Sequence, residues 1–570
     1  MDVINEPIGY IVGGGLKEGF RIRLTVPADR VQEGSFVVCE NGRFHYYGLI
    51  TDLQLGSTDP RFADEKTDRL QPAIQQALLG KTLYTTLMMY PTLLMDTGPE
   101  FGSPERAEWE DRVANNLETP GPKPVKTVPA HHAEVRQANE ADVAQIFGES
   151  GDGMFVVGHT IEQGYPVRLD LKKFVKRSSG IFGATGTGKS FLTRMVLAGL
   201  MLEDVAAALV FDMHNEYAFD DTDTDRMVTV RGLRSLFGSS KVQVAALGKG
   251  AMVRGKAPDF TLEIAFSEIE ISDIEMLSNE LKLTDTSQST LNALFRSFRE
   301  DWFVKFIKLE ISEKITDEDG KKYYPPNSVG AWAEENNVHV AAANTLRNRL
   351  DRIASKAYVV ERPAGDPVNE IVDKLENGRH VILSFGEYDN DLDYLLVSNI
   401  LTRKIREHWM KKTEKFKSSG GSAPRPLLIA IEEAHKLLNP HLSGQTAFGI
   451  IARELRKYFV TLLVVDQRPS GIDDEVMSQL GTRITGWLGD EDDIRAVLTG
   501  LAGRDQLRGM LARLQEKEEV LLLGWGVKMP IPVRSRRYDE TFYEEMKGRK
   551  ASTLRSLGDD NDDWLSNPYG

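Results

Sequence analysis

The segment Gly183-Ala184-Thr185-Gly186-Thr187-Gly188-Lys189-Ser190 constrains this chain more than any other stretch. It matches G-x-x-x-x-G-K-[ST] in full, follows the apolar strand end Ile181-Phe182, and opens a helical stretch, Phe191–Leu200. Glycines let backbone N–H groups turn inward around phosphate oxygens, and the start of the following helix adds a favourable dipole. In such a loop Lys189 reaches the β- and γ-phosphates and Ser190 holds Mg²⁺. The expected nucleotide-binding residues are Gly183, Ala184, Thr185, Gly186, Thr187, Gly188, Lys189, Ser190 and Phe191, with ATP and Mg²⁺ as cofactors.

A strand–loop–helix of this kind belongs in an α/β core, and the chain supplies one after Lys172. Apolar runs of strand length occur at Ala207–Phe211, Leu427–Ile431, Leu462–Val465 and Val520–Leu523, with Val381–Phe385 broken only by Ser384. Such runs fit parallel strands covered on both faces. Leu346, Leu350 and Ile353 recur at helical spacing, as do Leu392, Leu395, Leu396 and Ile400. Residues 232–370 read as a mainly helical insertion with an Asp/Gly turn at Thr316–Gly320.

Before Lys172 the pattern is different. Short strands are expected at Ile8–Val12, Phe20–Val26, Ser35–Cys39, Phe44–Leu53, Met154–Gly158 and Val167–Leu171, as in a small barrel or sandwich. Residues 97–130, rich in Gly, Pro, Glu and Asn, read as an excursion or flexible loop, and Pro120–Pro129 cannot be helical. The expected organisation is a β domain over 1–170, an ATPase core over 171–231 and 371–545, the insertion over 232–370, and a tail over 546–570 with the acidic Asp559–Asp563.

A phosphate cradle alone hydrolyses nothing. The strand Leu427–Ile431 delivers two carboxylates, Glu432 and Glu433, ahead of Ala434 and His435. One supports Mg²⁺ and the other polarises the attacking water, with Glu432 favoured for the metal and Glu433 as the base. Gln467 follows the strand that ends in Val464-Val465-Asp466, where a side-chain amide meets the γ-phosphate or the water. Arg453, Arg456 and Lys457 lie on the helical segment Ile451–Tyr458. A guanidinium supplied by a neighbouring subunit to the γ-phosphate is worth about 10³–10⁵ in rate.

The order of these elements, together with Asp212-Met213-His214-Asn215-Glu216-Tyr217, resembles the HerA branch of the FtsK–HerA ATPases. The likeness covers about residues 6–55 and 150–540 and is weakest over the insertion. It implies an α/β fold: a RecA-like P-loop NTPase core with a helical insertion, preceded by the family's small β-barrel (HAS-barrel). It also implies a homo-hexameric ring that threads double-stranded DNA. Lys189 and Ser190 would bind nucleotide and Mg²⁺, Glu433 or Glu432 activate water, Gln467 sense the γ-phosphate, and Arg453 or Arg456 act as the finger in trans. Asp212, His214 and Glu216 would sit beside the nucleotide. This chain departs from the family at Ser178-Ser179 (a basic-His pair), Asn215 (Gly), Leu455 (Gly) and Asp466 (a small hydroxyl residue), the last adding negative charge near the phosphates.

Partners follow from the same resemblance. HerA-like ATPases commonly work with a NurA-like nuclease in processing DNA ends, or with another nuclease or a sirtuin-like NADase in antiviral defence. The expected activity is an ATP-dependent DNA translocase or helicase. The alternative is an ATP-gated scaffold ring that assembles and switches a partner effector, and a third reading is a pump for protein or DNA across a membrane. DNA-contact candidates are the loop Lys436–Gly444, with Asn439 and His441 at its tip, and the run Arg403–Lys417, where seven basic residues meet two acidic ones. His131-His132 reads as surface rather than metal ligand.

Composition bounds these readings. The net charge is −15, which argues against coating nucleic acid by bulk charge. Residues 1–170 carry 25 acidic and 15 basic side chains, however, leaving 60 acidic and 55 basic for the remainder. The excess therefore falls mostly on the β domain, assigned to a collar outside the DNA channel. The single cysteine, Cys39, excludes an intrachain disulfide and a multi-cysteine zinc site. No apolar run reaches the roughly 18–20 residues that span a bilayer, and the N-terminus lacks the order of a signal peptide. The expected location is cytoplasmic.

Overall fold

In the strand Gly19–Leu24, Phe20, Ile22 and Leu24 are buried while Arg21 and Arg23 are not. A sheet with one face on a core demands this alternation. The computed structural model describes residues 6–58, 83–117, 121–223, 227–318, 320–388, 390–443 and 446–548. The expected acidic tail Asp559–Asp563 lies outside them. The chain divides into two units. One comprises Met1–Phe174, Gly180–Leu192 and Gly481–Arg536, and the other Val175–Ser179, Thr193–Leu480 and Arg537–Gly570. No helix among the described residues is long and apolar enough to cross a membrane.

In the first unit an antiparallel sheet runs Gly19–Leu24, Pro7–Gly15, Glu134–Gln137, Phe36–Asn41, Phe44–Ser57, Leu83–Asp96. Its first and last strands pair, Phe20 with Met89 and Ile22 with Leu87, so the six strands close into a barrel. Ile11, Phe20, Ile22, Val37, Cys39, Tyr46, Ile50, Leu87 and Val135 fill the interior. Gly48 sits at a bulge where a Cβ would lie 2.3 Å from the Tyr90 carbonyl oxygen, so only glycine lets the strands approach there.

The described parts of residues 97–130 hold a helix and a short strand where composition predicts an excursion or flexible loop. Ser103 accepts a hydrogen bond from the Arg106 N–H and Pro104 occupies the first turn of a helix, Pro104–Ala114, which buries Trp109. Gly121–Lys123 then adds a short strand against Leu94–Asp96. The strands Met154–Thr160 and Pro166–Asp170 do not join the barrel. They pair with each other, and Met154–Thr160 pairs with Ile531–Ser535. The second sheet of this unit thus runs Ser179–Phe182, Thr482–Thr485, Glu519–Gly524, Ile531–Ser535, Met154–Thr160, Pro166–Asp170. The expected parallel strand Val520–Leu523 is antiparallel to both neighbours. The short link before Ile531 has no room for the crossover that a parallel pair needs.

The second unit holds six parallel strands in the order Phe260–Leu262, Val242–Leu247, His380–Ser384, Ala207–Asp212, Leu427–Glu432, Val460–Asp466. The last three are buried along their whole length. Val242–Leu247 and Phe260–Leu262 fall within the span expected as helical insertion, yet belong to the sheet. The helices Asp285–Phe298, Val329–Glu335 and Val340–Ala354 follow them, the last burying Leu346, Leu350 and Ile353 as its spacing predicts. Register aligns Phe211 with Ile431 and Glu432 with Val465. Asp212, Glu432 and Asp466 therefore end their strands along one rim of the sheet, where ligands of parallel sheets bind.

Candidate active site

The phosphate loop belongs to the first unit. Gly186 (φ +84°) and Gly188 (φ +85°) adopt the left-handed conformation, and a Cβ on either would meet no atom within 4 Å. Gly183 is required for another reason: its Cβ would lie 2.6 Å from Thr187 Oγ1. That hydroxyl donates to the Ala184 carbonyl at 2.8 Å. The Ala184 N–H donates to the Trp487 carbonyl at 3.0 Å, and the Gly486 N–H to the Phe182 carbonyl at 2.8 Å, so the loop is backed by the segment after Thr482–Thr485. Lys189 and Ser190 open the helix Lys189–Glu203 and, with Phe191, are half-buried. Two unhindered left-handed glycines ahead of a helix start fit nucleotide phosphates.

The paired carboxylates belong to the second unit. Glu432 is 7% exposed, and the Tyr217 hydroxyl donates to its Oε1 at 2.5 Å. The Tyr394 hydroxyl donates to its carbonyl at 2.8 Å. Burial, then the Glu432 carboxylate, push the Tyr217 hydroxyl well above its ordinary pKa, so it remains a donor. Glu433 has φ +46°, a conformation that costs a side-chain-bearing residue about 1–2 kcal/mol. This breaks the strand alternation that would send neighbouring carboxylates to opposite faces. The Gln467 amide Nε2 donates to Glu433 Oε2 at 3.3 Å.

Asp466, expected to add negative charge near the phosphates, sets that charge against donors of its own unit. It is fully buried and accepts from the backbone N–H groups of His435 and Arg468, both at 2.7 Å, while His435 Nδ1 lies 3.0 Å from Oδ2. Burial raises the Asp466 pKa, but the hydrogen bond and charge of His435 and the backbone donors outweigh it, so the net shift is downward. The same hydrogen bond holds the His435 imidazole above its ordinary value.

The Asp212 carboxylate accepts the N–H groups of Glu216 at 2.7 Å and Tyr217 at 3.0 Å. Burial raises its pKa to about 6. Asp212 thus shapes the turn after its strand, and His214 is exposed. Asn215, where the family has Gly, takes φ +57°, which asparagine tolerates better than most residues. Its Oδ1 accepts from the Ser384 hydroxyl.

Arg453 is held within its own chain. Its guanidinium donates to the Ser443 carbonyl and hydroxyl at 3.3 and 3.2 Å and pairs with Glu475 at 2.9 Å. The backbone of Arg456 lies in the short turn Leu455–Tyr458, and its side chain lies outside the described residues.

The basic run Arg403–Lys417 lies on the helix Asp391–Ser419, and part of it is spent on ion pairs. Arg403 is buried against Asp273 at 2.9 Å and Glu270 at 2.5 Å, Lys404 pairs with Glu268 at 2.8 Å, and His408 lies 2.7 Å from Glu376. In the other candidate loop Lys436 pairs with Asp391 at 2.6 Å, and Asn439 Oδ1 accepts the N–H groups of His441 and Leu442. His441 is exposed, and Gly444 lies outside the described residues. His131 and His132 are both exposed.

Sequence reasoning assigned no role to Tyr217 or Tyr394, whose hydroxyls meet Glu432. The available signal was Tyr217 closing the motif that Asp212 opens.

Residues 155–405 match the family model described as "Helicase HerA, central domain". The DNA double-strand break repair helicase HerA of Sulfurisphaera tokodaii is 26% identical over 538 residues, covering 93% of each chain. That of Saccharolobus solfataricus is 25% identical over 533 residues, covering 92% of this chain and 91% of its own. Among solved structures, VirB4 of Thermoanaerobacter pseudethanolicus covers 69% of this chain and 99% of its own, at 16% identity and TM-score 0.43.

Proposed function

The chain is an ATPase of the HerA-like branch of the FtsK–HerA superfamily, and on that premise we propose that it couples ATP hydrolysis to movement along double-stranded DNA as a homo-hexamer. The observation that carries this reading is the Glu433–Gln467 pair: a strained carboxylate and an amide 3.3 Å apart at the rim of a parallel sheet.

In this reading the Gly183–Ser190 loop and Lys189 hold the ATP phosphates. Ser190 and Glu432 would hold Mg²⁺, which would supply charge neutralisation to the phosphates. Glu433 accepts a proton from the attacking water, and Gln467 orients that carboxylate and touches the γ-phosphate. The Asp466–His435 pair keeps the Asp466 charge compensated beneath this site. Arg453 is engaged within its own chain, so the finger in trans is assigned to Arg456. Relatives named as DNA double-strand break repair helicases support DNA as the track and DNA end processing as the setting. The exposed tip of the loop after Lys436, at His441, is the contact assigned to the phosphate backbone. A nuclease of the NurA type, or another effector, docks on the acidic barrel.

The test is DNA-stimulated ATPase activity of Lys189→Ala and Glu433→Gln. Both lose it, Glu433→Gln by about 10²–10⁴-fold while still binding ATP. Wild-type turnover in both variants removes the catalytic assignment.

A further inference from the structure

Tyr217 donates its hydroxyl to Glu432 Oε1 at 2.5 Å, and the tyrosine is 0% exposed. A buried carboxylate with a buried phenol on one oxygen has its orientation set by that phenol. Tyr217 is itself fixed from two sides. Asp212, which ends the strand beside that of Glu432, holds the N–H groups of Glu216 and Tyr217 at 2.7 and 3.0 Å. Arg194, on the helix that Lys189 opens, donates through Nε to the Glu216 carbonyl at 2.9 Å, with its guanidinium carbon 6.0 Å from the Tyr217 ring centroid.

We propose that Tyr217 is a positioning residue that presents the Glu432 carboxylate to the divalent cation of the bound nucleotide, with Asp212 and Arg194 holding Tyr217 in place. This rests on the reading of Glu432 as the metal-supporting carboxylate. Hydrogen bonds that orient a metal-supporting carboxylate are commonly worth about 10–100-fold in metal affinity. Tyr394 provides the contrast: its hydroxyl meets the backbone carbonyl of Glu432 and not the carboxylate.

The experiment uses the full chain and four variants: Tyr217→Phe, Arg194→Lys, Tyr394→Phe and Glu432→Gln. It measures Mn²⁺ binding to the ADP complex by paramagnetic resonance, and separately the binding of a fluorescent ATP analogue without divalent cation. Tyr217→Phe is expected to weaken Mn²⁺ binding about 10-fold or more, with cation-free nucleotide binding unchanged. Arg194→Lys gives a smaller shift in the same direction and carries the test if Tyr217→Phe does not fold. Tyr394→Phe gives none. Wild-type Mn²⁺ affinity in folded Tyr217→Phe, with Glu432→Gln weakened, overturns the positioning role alone. Wild-type affinity in Glu432→Gln overturns the metal role of that carboxylate, and the proposal with it.

Discussion

Asp466 and His435 form an ion pair in which one carboxylate receives both the backbone N–H of His435, at 2.7 Å, and its ring Nδ1, at 3.0 Å. The carboxylate is wholly buried and the imidazole partly exposed. A residue that reads in the sequence as stray negative charge is thereby converted into an anchor for the loop that follows Glu433.

The pair gives stability a defined pH dependence. The His435 pKa is raised above 6.5, so its contribution is complete below 6.5 and is lost as pH rises through the folded value. The Asp466 pKa is lowered below 3.8, so its contribution is present above 3.8 and is lost as pH falls through the folded value. Asp466→Asn should therefore cost most between these two values, about 1–3 kcal/mol, and less at pH 8 and above. Urea unfolding of both proteins at pH 5, 6 and 8 checks this, and a difference that grows with pH would contradict it.

Gly188→Ala should separate backbone strain from crowding, because a Cβ there meets nothing. The cost is the left-handed φ alone, about 1–2 kcal/mol, and relaxing it distorts the cradle. Melting temperature should fall slightly while affinity for a fluorescent ATP analogue falls strongly. Gly183→Ala should destabilise more, since its Cβ clashes with Thr187.

Arg403→Met tests whether the basic run serves the interior. It strips the guanidinium from buried Asp273 and should cost about 3–5 kcal/mol in chemical denaturation. The salt dependence of DNA binding by the folded protein should be unchanged, whereas removing a cation that neutralises a DNA phosphate would lower the slope by about one.

Shared active sites can be tested by mixing. Arg456→Ala chains and Glu433→Gln chains, each inactive alone, should recover part of the ATPase activity when assembled together. Mass measurement with ATP and duplex DNA should find six chains. A strict monomer under every condition would remove the ring and the finger in trans together.

The legible parts of this molecule are those written locally. The Gly183–Ser190 loop, the strand Leu427–Glu432 and the buried face of Val340–Ala354 follow from spacing alone, because each is decided by neighbours a few residues away. The rest is decided by distant partners. Met154–Thr160 looks like a barrel strand until Ile531–Ser535 pairs with it. Arg403 looks solvated until Asp273, far earlier in the chain, is found against it. The Tyr217–Glu432 bond joins two motifs whose separation carries no periodic signal. Val242–Leu247 reads as part of the insertion until His380–Ser384, far along the chain, pairs with it.

The backing of the phosphate loop by Trp487 has a consequence for how the protein is made. The Ala184 N–H waits for a carbonyl that the ribosome delivers about 300 residues after the loop itself. A nascent chain that has already emerged through the helix after Lys189 still lacks the wall behind its cradle, and closing so long a loop is slow. The loop's backing thus arrives well after the loop, and a chain cut short before Trp487 carries the whole motif without the support that shapes it.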